Sequence, residues 1–339
     1  IDFKSQAKLS LVTTLLSGIL GITLAYKGYG VWSLVWQGVF ANLLRTVLLL
    51  FATKWYPKWQ FSMHSFKYLF NFGSKILTAS LLHTIYANMT TLIIGKYYSA
   101  KDLGYYSRGE SLAALPSTNI TGILGGVTYP ILSKIQNDDK RLIAVYRKYI
   151  AITSMVIFFG MLLLAALAKP FIIAVLTEKW ANSIIFLQIF CFALMFDHLC
   201  QLNLNILYVK GCSDLVLRLE VIKKTISISM IIAAIPFGVL AICIARAIYT
   251  QIAVIINTYY TGKLYGLGYF EQVKDFIKYL FYSAVAVAPA YALSFTAIHP
   301  ILVLLIGGTS ASAIYWFLLR KDSNLLELFT LCKSHLFGK

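Results

Sequence analysis

Arg45, Asp197 and Arg246 stand well inside long apolar runs, where a bare charge costs at least roughly 2.5–3.5 kcal/mol to place in hydrocarbon. Each must therefore face protein or water, or hold a partner. Two chemistries fit. Arg45, Lys75 and Arg246 projecting into one vestibule would make an electropositive cavity for an anionic, lipid-linked ligand, because a planar guanidinium gives phosphate two charge-assisted hydrogen bonds. Alternatively, Arg45 or Arg246 makes a structural pair with Asp197 or Glu220. Asp197 is also a candidate for ion coupling if it faces water. Arg108 and Glu110, two residues apart at a helix start, either gate an outer mouth by exchanging ion partners or mark where lipid ends. Asn88, Asn119, Tyr105 and Tyr106 are candidate sugar contacts, the amides satisfying hydroxyls and the rings stacking on sugar faces.

Other chemistries find no residues. Cys191, Cys200, Cys212, Cys243 and Cys332 lack metal-ligand spacing, as do the five histidines. The chain has no phosphate-binding lysine loop, no GxSxG and no HExxH. The reading is of a protein with no catalytic residues, no metal and no cofactor. An ion gradient, the membrane potential or downhill consumption of the product would have to drive any transport.

The elements that must position these residues are membrane helices. Ten apolar runs, near 7–26, 31–53, 70–98, 108–133, 147–176, 181–209, 215–235, 238–260, 276–296 and 299–319, each reach or exceed the roughly 20 residues that cross hydrocarbon. Hydrophobic residues make up 59% of the chain and charged residues 13%, well under the charged quarter usual in soluble domains. The runs near 70–98 and 108–133 are rich in Ser, Thr, Asn, Gly and Pro and read as cavity-lining or moving helices. Pro116 and Pro130 should interrupt i→i−4 bonding in the second of them, and Lys169-Pro170 should break the run near 147–176.

The formal charge is +17, and its distribution argues for a membrane face, not a nucleic-acid groove. Only Lys27, Lys96, Lys101, Arg108, Lys169 and Lys179 fall on one side of the runs. Most other basic residues, Lys223 and Lys224 among them, fall on the side of the chain ends, which predicts that both ends are cytoplasmic. The opening IDFKSQAKLS has neither a basic n-region nor a cleavage site and is not a secretory signal.

Six stretches in order, IDFKSQAK at 1–8, GYGVWSLVWQ at 28–37, DLGYYSRGESLAALPSTNITGIL at 102–124, YPILSKIQNDD at 129–139, LTEKWANSIIFLQIFCFAL at 176–194 and NTYYTGKLYG at 257–266, carry a resemblance. The chain resembles the Wzx-like polysaccharide exporters, colanic-acid branch, of the multidrug/oligosaccharidyl-lipid/polysaccharide flippase superfamily. The resemblance implies an all-α, two-lobe bundle that moves undecaprenyl-diphosphate-linked glycans across the bacterial inner membrane by alternating access. It implies membrane lipids as surroundings, and a polysaccharide polymerase and glycosyltransferases as partners. It also implies four helices ahead of this sequence. On that pattern 1–53 is the rest of a first lobe, 54–69 an interfacial linker, 70–260 a six-helix second lobe, 261–275 a linker, 276–319 a terminal pair and 320–339 a tail. Arg45 and Arg246, then Arg108, become the implied diphosphate or acidic-glycan contacts.

Overall fold

The computed structural model describes residues 3–53, 61–296 and 298–326. Among them the chain is all helix: α1 Phe3–Tyr26, α2 Trp32–Thr53, α3 Met63–Tyr97, α4 Ala100–Lys134, α5 Asp139–Ala166, α6 Ala168–Leu176, α7 Ser183–Leu194, α8 Asp197–Val209, α9 Ser213–Ala234, α10 Val239–Tyr265, α11 Tyr269–Leu293 and α12 Pro300–Leu319. Single-turn 3-10 segments at Glu178–Trp180 and Ile235–Phe237 complete the order. Seven spans among the described residues are long and apolar enough to cross a membrane, so this is a multi-pass membrane protein. The polar helices α3, α4 and α9 are not among those seven.

Two runs are broken as well as long. The helix after α5 restarts at Ala168 with Pro170 in its first turn, where a missing N–H is tolerated. The Ser183–Val209 span parts at Met195-Phe196. By contrast, α4 continues through both Pro116 and Pro130, each of which leaves one i→i−4 bond without its N–H. Its start is capped by Ser99, whose hydroxyl accepts from the Asp102 amide at 3.1 Å.

The chain divides into two compact units, Ile1–Leu82 and His83–Lys339. In the first, α1 and α2 form a hairpin closed by the positive-φ residues Gly28 and Gly30. The helices approach through small residues: a Cβ at Gly21 would lie 2.5 Å from Gln37. Small contacts suit a bilayer, where lipid solvates the large apolar side chains and packing alone brings helices together. Residues 54–60 of the expected linker 54–69 lie outside the described residues, and from Met63 onward the linker is already part of α3.

In the second unit α11 packs on α5 and α12, and α4 packs on α7 and α8. Tyr106, Phe158, Phe190 and Tyr279 fill its core. Several buried polar groups are paired across helices. Asn203 on α8 and Gln272 on α11 exchange amide hydrogen bonds, both at 2.9 Å, and the Thr261 hydroxyl on α10 donates to Asn203 at 2.7 Å. Arg147 grips Asp275 through Nε and Nη2, joining α5 to α11. Beyond α12, burial pushes the Asp322 carboxyl up, but hydrogen bonds from Lys278 and the Asn324 amide outweigh it and hold the group below the usual carboxylate range.

Candidate functional site

Gly109 explains why its two charged neighbours part company. It sits flush against α7, where an added Cβ would lie 2.7 Å from Phe186 and 2.8 Å from the Leu187 nitrogen. The helix surface on either side of that contact then carries Arg108 and Glu110 in different directions. Arg108 is exposed and lies over the Trp180 ring at 5.1 Å. Glu110 turns to Arg246 on α10, whose Nη1 donates to its carboxylate at 2.5 Å and to the Tyr106 hydroxyl at 2.9 Å. The two residues therefore do not share a partner, and the expected exchange between them has no geometry here.

The Arg246 guanidinium also stacks on Phe190, 5.2 Å from the ring centroid. Phe190 in turn meets Tyr106 edge-on at 5.1 Å. Arg246 is thus fixed on three sides by a carboxylate, a phenol and an aromatic face. Its side chain keeps 28% exposure and that of Glu110 26%, placing the pair between a fully buried ion pair and a surface one. Losing one partner from a fully buried pair costs about 3–5 kcal/mol, and the residual exposure lowers that here.

Beside this pair lies a cavity of about 300 Å³, lined by Ala87, Met89 and Thr90 of α3, Ser227 and Ile231 of α9, and Arg246 and Tyr249 of α10. Its volume is at the lower end of small-molecule pockets. Thr90 and Ser227 are each only 7% exposed, and neither hydroxyl has a hydrogen-bond partner among the described residues.

A second group of charges sits deeper. Asp197 opens α8 at the Met195-Phe196 break, within electrostatic reach of both Arg246 and Lys223. A carboxylate at a helix start is favoured by the unsatisfied amides and the dipole there. Lys223 lies midway along α9, 6% exposed, with its ammonium 2.5 Å from Glu220. Lys223, counted on the cytoplasmic side by the charge pattern, is buried inside the bundle. The signal is a glutamate three residues before a lysine, a spacing at which helical side chains meet.

The other expected site residues separate. Arg45 is exposed on α2 in the first unit, without an ion-pair or hydrogen-bond partner among the described residues. The Lys75 side chain lies outside the described residues. Asn88 and Asn119 are exposed, and their amides donate to the carbonyls of Thr84 and Leu115 one turn back, at 2.8 and 2.6 Å. Tyr106, expected as a sugar contact, is fully buried and serves Arg246 instead. The expected pairing of an arginine with Asp197 or Glu220 is corrected too: Arg246 takes Glu110, and Glu220 takes Lys223. Among the described residues no three His, Cys, Asp or Glu gather as a metal site.

A family model described as "Polysaccharide biosynthesis protein" matches residues 1–185. The lipopolysaccharide biosynthesis protein WzxC of Escherichia coli (strain K12) is 25% identical over 262 residues, covering 76% of this chain and 51% of that protein. The teichuronic acid biosynthesis protein TuaB of Bacillus subtilis (strain 168) is 24% identical over 226 residues, covering 63% of this chain and 45% of its own length. The chain thus spans about half the length of these relatives. Among solved structures, the lipid II flippase MurJ in an inward closed conformation aligns with a TM-score of 0.68 and 17% identity, over 92% of this chain and 67% of that one. That likeness shows the fold.

Proposed function

Because the chain belongs to the polysaccharide biosynthesis protein family, we propose that it works as a flippase. Its cargo is an undecaprenyl-diphosphate-linked oligosaccharide repeat unit, moved across the bacterial inner membrane by alternating access for exopolysaccharide, O-antigen or capsule assembly. One observation carries this reading: a cavity with Arg246, Thr90 and Ser227 on its wall lies where the polar helices α3 and α9 meet the apolar span α10 of a multi-pass membrane protein. Such a cavity has no use in a bundle that only anchors, since every polar group in it raises the cost of insertion.

The names of the relatives, one a lipopolysaccharide and one a teichuronic acid biosynthesis protein, and the lipid II flippase title of the structural neighbour give the cargo its class. Arg45, exposed and unpaired among the described residues, is the leading diphosphate contact. Arg246 orients the glycan from its cavity, Asp197 serves ion coupling and Arg108 lies at the outer mouth. Lys75, Asn88 and Asn119 remain secondary substrate contacts, and Glu110 is the gating residue through its hold on Arg246. Both chain ends face the cytoplasm, and a polymerase and glycosyltransferases act on either side of the transport step. The role is transport and not group transfer.

Deleting the gene in its own host tests the proposal. Lipid-linked repeat units should accumulate, whole and unaltered, in the inner leaflet, and surface polysaccharide should fall until the gene is restored. A repeat unit lacking one sugar after deletion would mark a glycosyltransferase instead, and unchanged surface polysaccharide would reject the proposal.

A further inference from the structure

The cavity beside Arg246 has a charge balance that narrows what it can hold. Among the described residues its one charged wall residue is Arg246, already paired with Glu110. Asp197 also acts on Arg246, and the nearby Lys223 is paired with Glu220. Two cations thus face three carboxylates, and protonating one carboxyl brings the sum only to zero. An incoming anion would meet no net attraction and would have to displace Glu110 from a pair already in hydrogen-bond contact.

The remaining wall suits an uncharged, hydroxyl-bearing ring. Thr90 and Ser227 both line the cavity, each residue 7% exposed, with hydroxyls that lack partners among the described residues. Each can donate and accept. Met89, Ile231 and the Tyr249 ring supply apolar surface for the C–H face of a pyranose. Arg246 directs only Nη1 at Glu110 and Tyr106, so the other edge of its guanidinium is left to donate to neutral oxygens. Nothing in the described wall offers a second unpaired cation for a carboxylate.

We propose that this cavity is a subsite for a neutral sugar ring, with Glu110 as the residue that keeps it closed to acidic ones. The inference rests on the flippase reading and sharpens it, because it assigns a neutral sugar to this position of the cargo. Its test reads occupancy and not lipid movement, so it stands or falls apart from the transport experiment.

The test uses the full chain in detergent with Ala87→Cys, and separately Ile231→Cys in case one reporter disturbs folding, so that both hydroxyls of the wall stay in place. Modification of the new thiol by a small alkylating reagent is followed by mass spectrometry of its peptide, which sets aside the native cysteines. Methyl glucoside should slow modification by about three- to tenfold, the occupancy that one or two neutral hydrogen bonds supply. Glucuronate, the same ring with a carboxylate, should not. Glu110→Gln, which keeps an acceptor for Arg246 but removes the charge, should let glucuronate protect as well. Equal protection by both sugars in the parent, protection by neither, or the same effect from glycerol would overturn the proposal, as would unchanged discrimination after Glu110→Gln.

Discussion

The two units treat an intramembrane arginine in opposite ways. On α2 of the first unit, Arg45 is exposed among exposed Leu43, Val47 and Leu49 and has no partner among the described residues. On α10 of the second, Arg246 is held by Glu110, Tyr106 and Phe190. The difference follows from packing. A hairpin whose helices meet through small residues cannot bring a carboxylate from a third helix to its arginine. A bundle in which α4, α7 and α10 converge can, and must, because a packed charge without compensation would cost several kcal/mol. Arg45 therefore keeps its guanidinium unpaired among the described residues, whereas Arg246 is committed to Glu110 and Tyr106.

The largest effect that could break this contrast is on transport. In the restored host, Arg45→Ala should lower flipping roughly 10- to 100-fold, the loss of one or two charge-assisted contacts of about 1.5–3 kcal/mol, with membrane abundance unchanged. Arg246→Ala should instead lower abundance and thermal stability first, by about 2–3 kcal/mol, since it strands Glu110. Adding Glu110→Ala should recover part of that loss. If Arg246→Ala left stability untouched while Arg45→Ala unfolded the chain, the two assignments would be reversed.

A smaller effect sharpens the role of packing at the site. Gly109→Ala would force α4 off α7 at Phe186 and Leu187, an overpacking cost of about 1–3 kcal/mol. It should also loosen Glu110 from Arg246, seen as faster alkylation of a Ser227→Cys reporter. Unchanged melting and unchanged labelling would mean that this contact does not set the pair.

The smallest effects concern the asparagines. Asn88→Ala and Asn119→Ala each remove a local side-chain bond to the preceding turn, so stability should move by no more than about 0.5 kcal/mol. A loss of flipping at unchanged stability would bear out their role as secondary sugar contacts, and unchanged flipping would reject it.

Much of the frame is legible in the order of residues alone. The ten apolar runs overlap the observed helices closely, and Lys169-Pro170 marks the restart of α6, because hydrocarbon thickness and proline chemistry act on local sequence. Tyr106 and Lys223 mislead for the converse reason. A tyrosine next to a wet helix end and a lysine near a basic connector look interfacial until the rotation of the helix is known, and neighbouring helices set that rotation. Pro116 and Pro130 each remove an i→i−4 bond by local chemistry, but that α4 runs on through both is set by its packing on α7 and α8.

The sequence by itself determined that this is an all-helical, multi-pass membrane protein and that Arg45, Asp197 and Arg246 would each need an explanation, since the cost of charge in lipid depends only on residue type and depth. Which explanation applied was decided by tertiary structure. Pairing Arg246 with Glu110, 136 residues earlier in the chain, requires two helices to meet at one height and one rotation. That geometry comes from the close approach at Gly109 and the packing of Phe186 and Phe190, and residue spacing along the chain carries no trace of it.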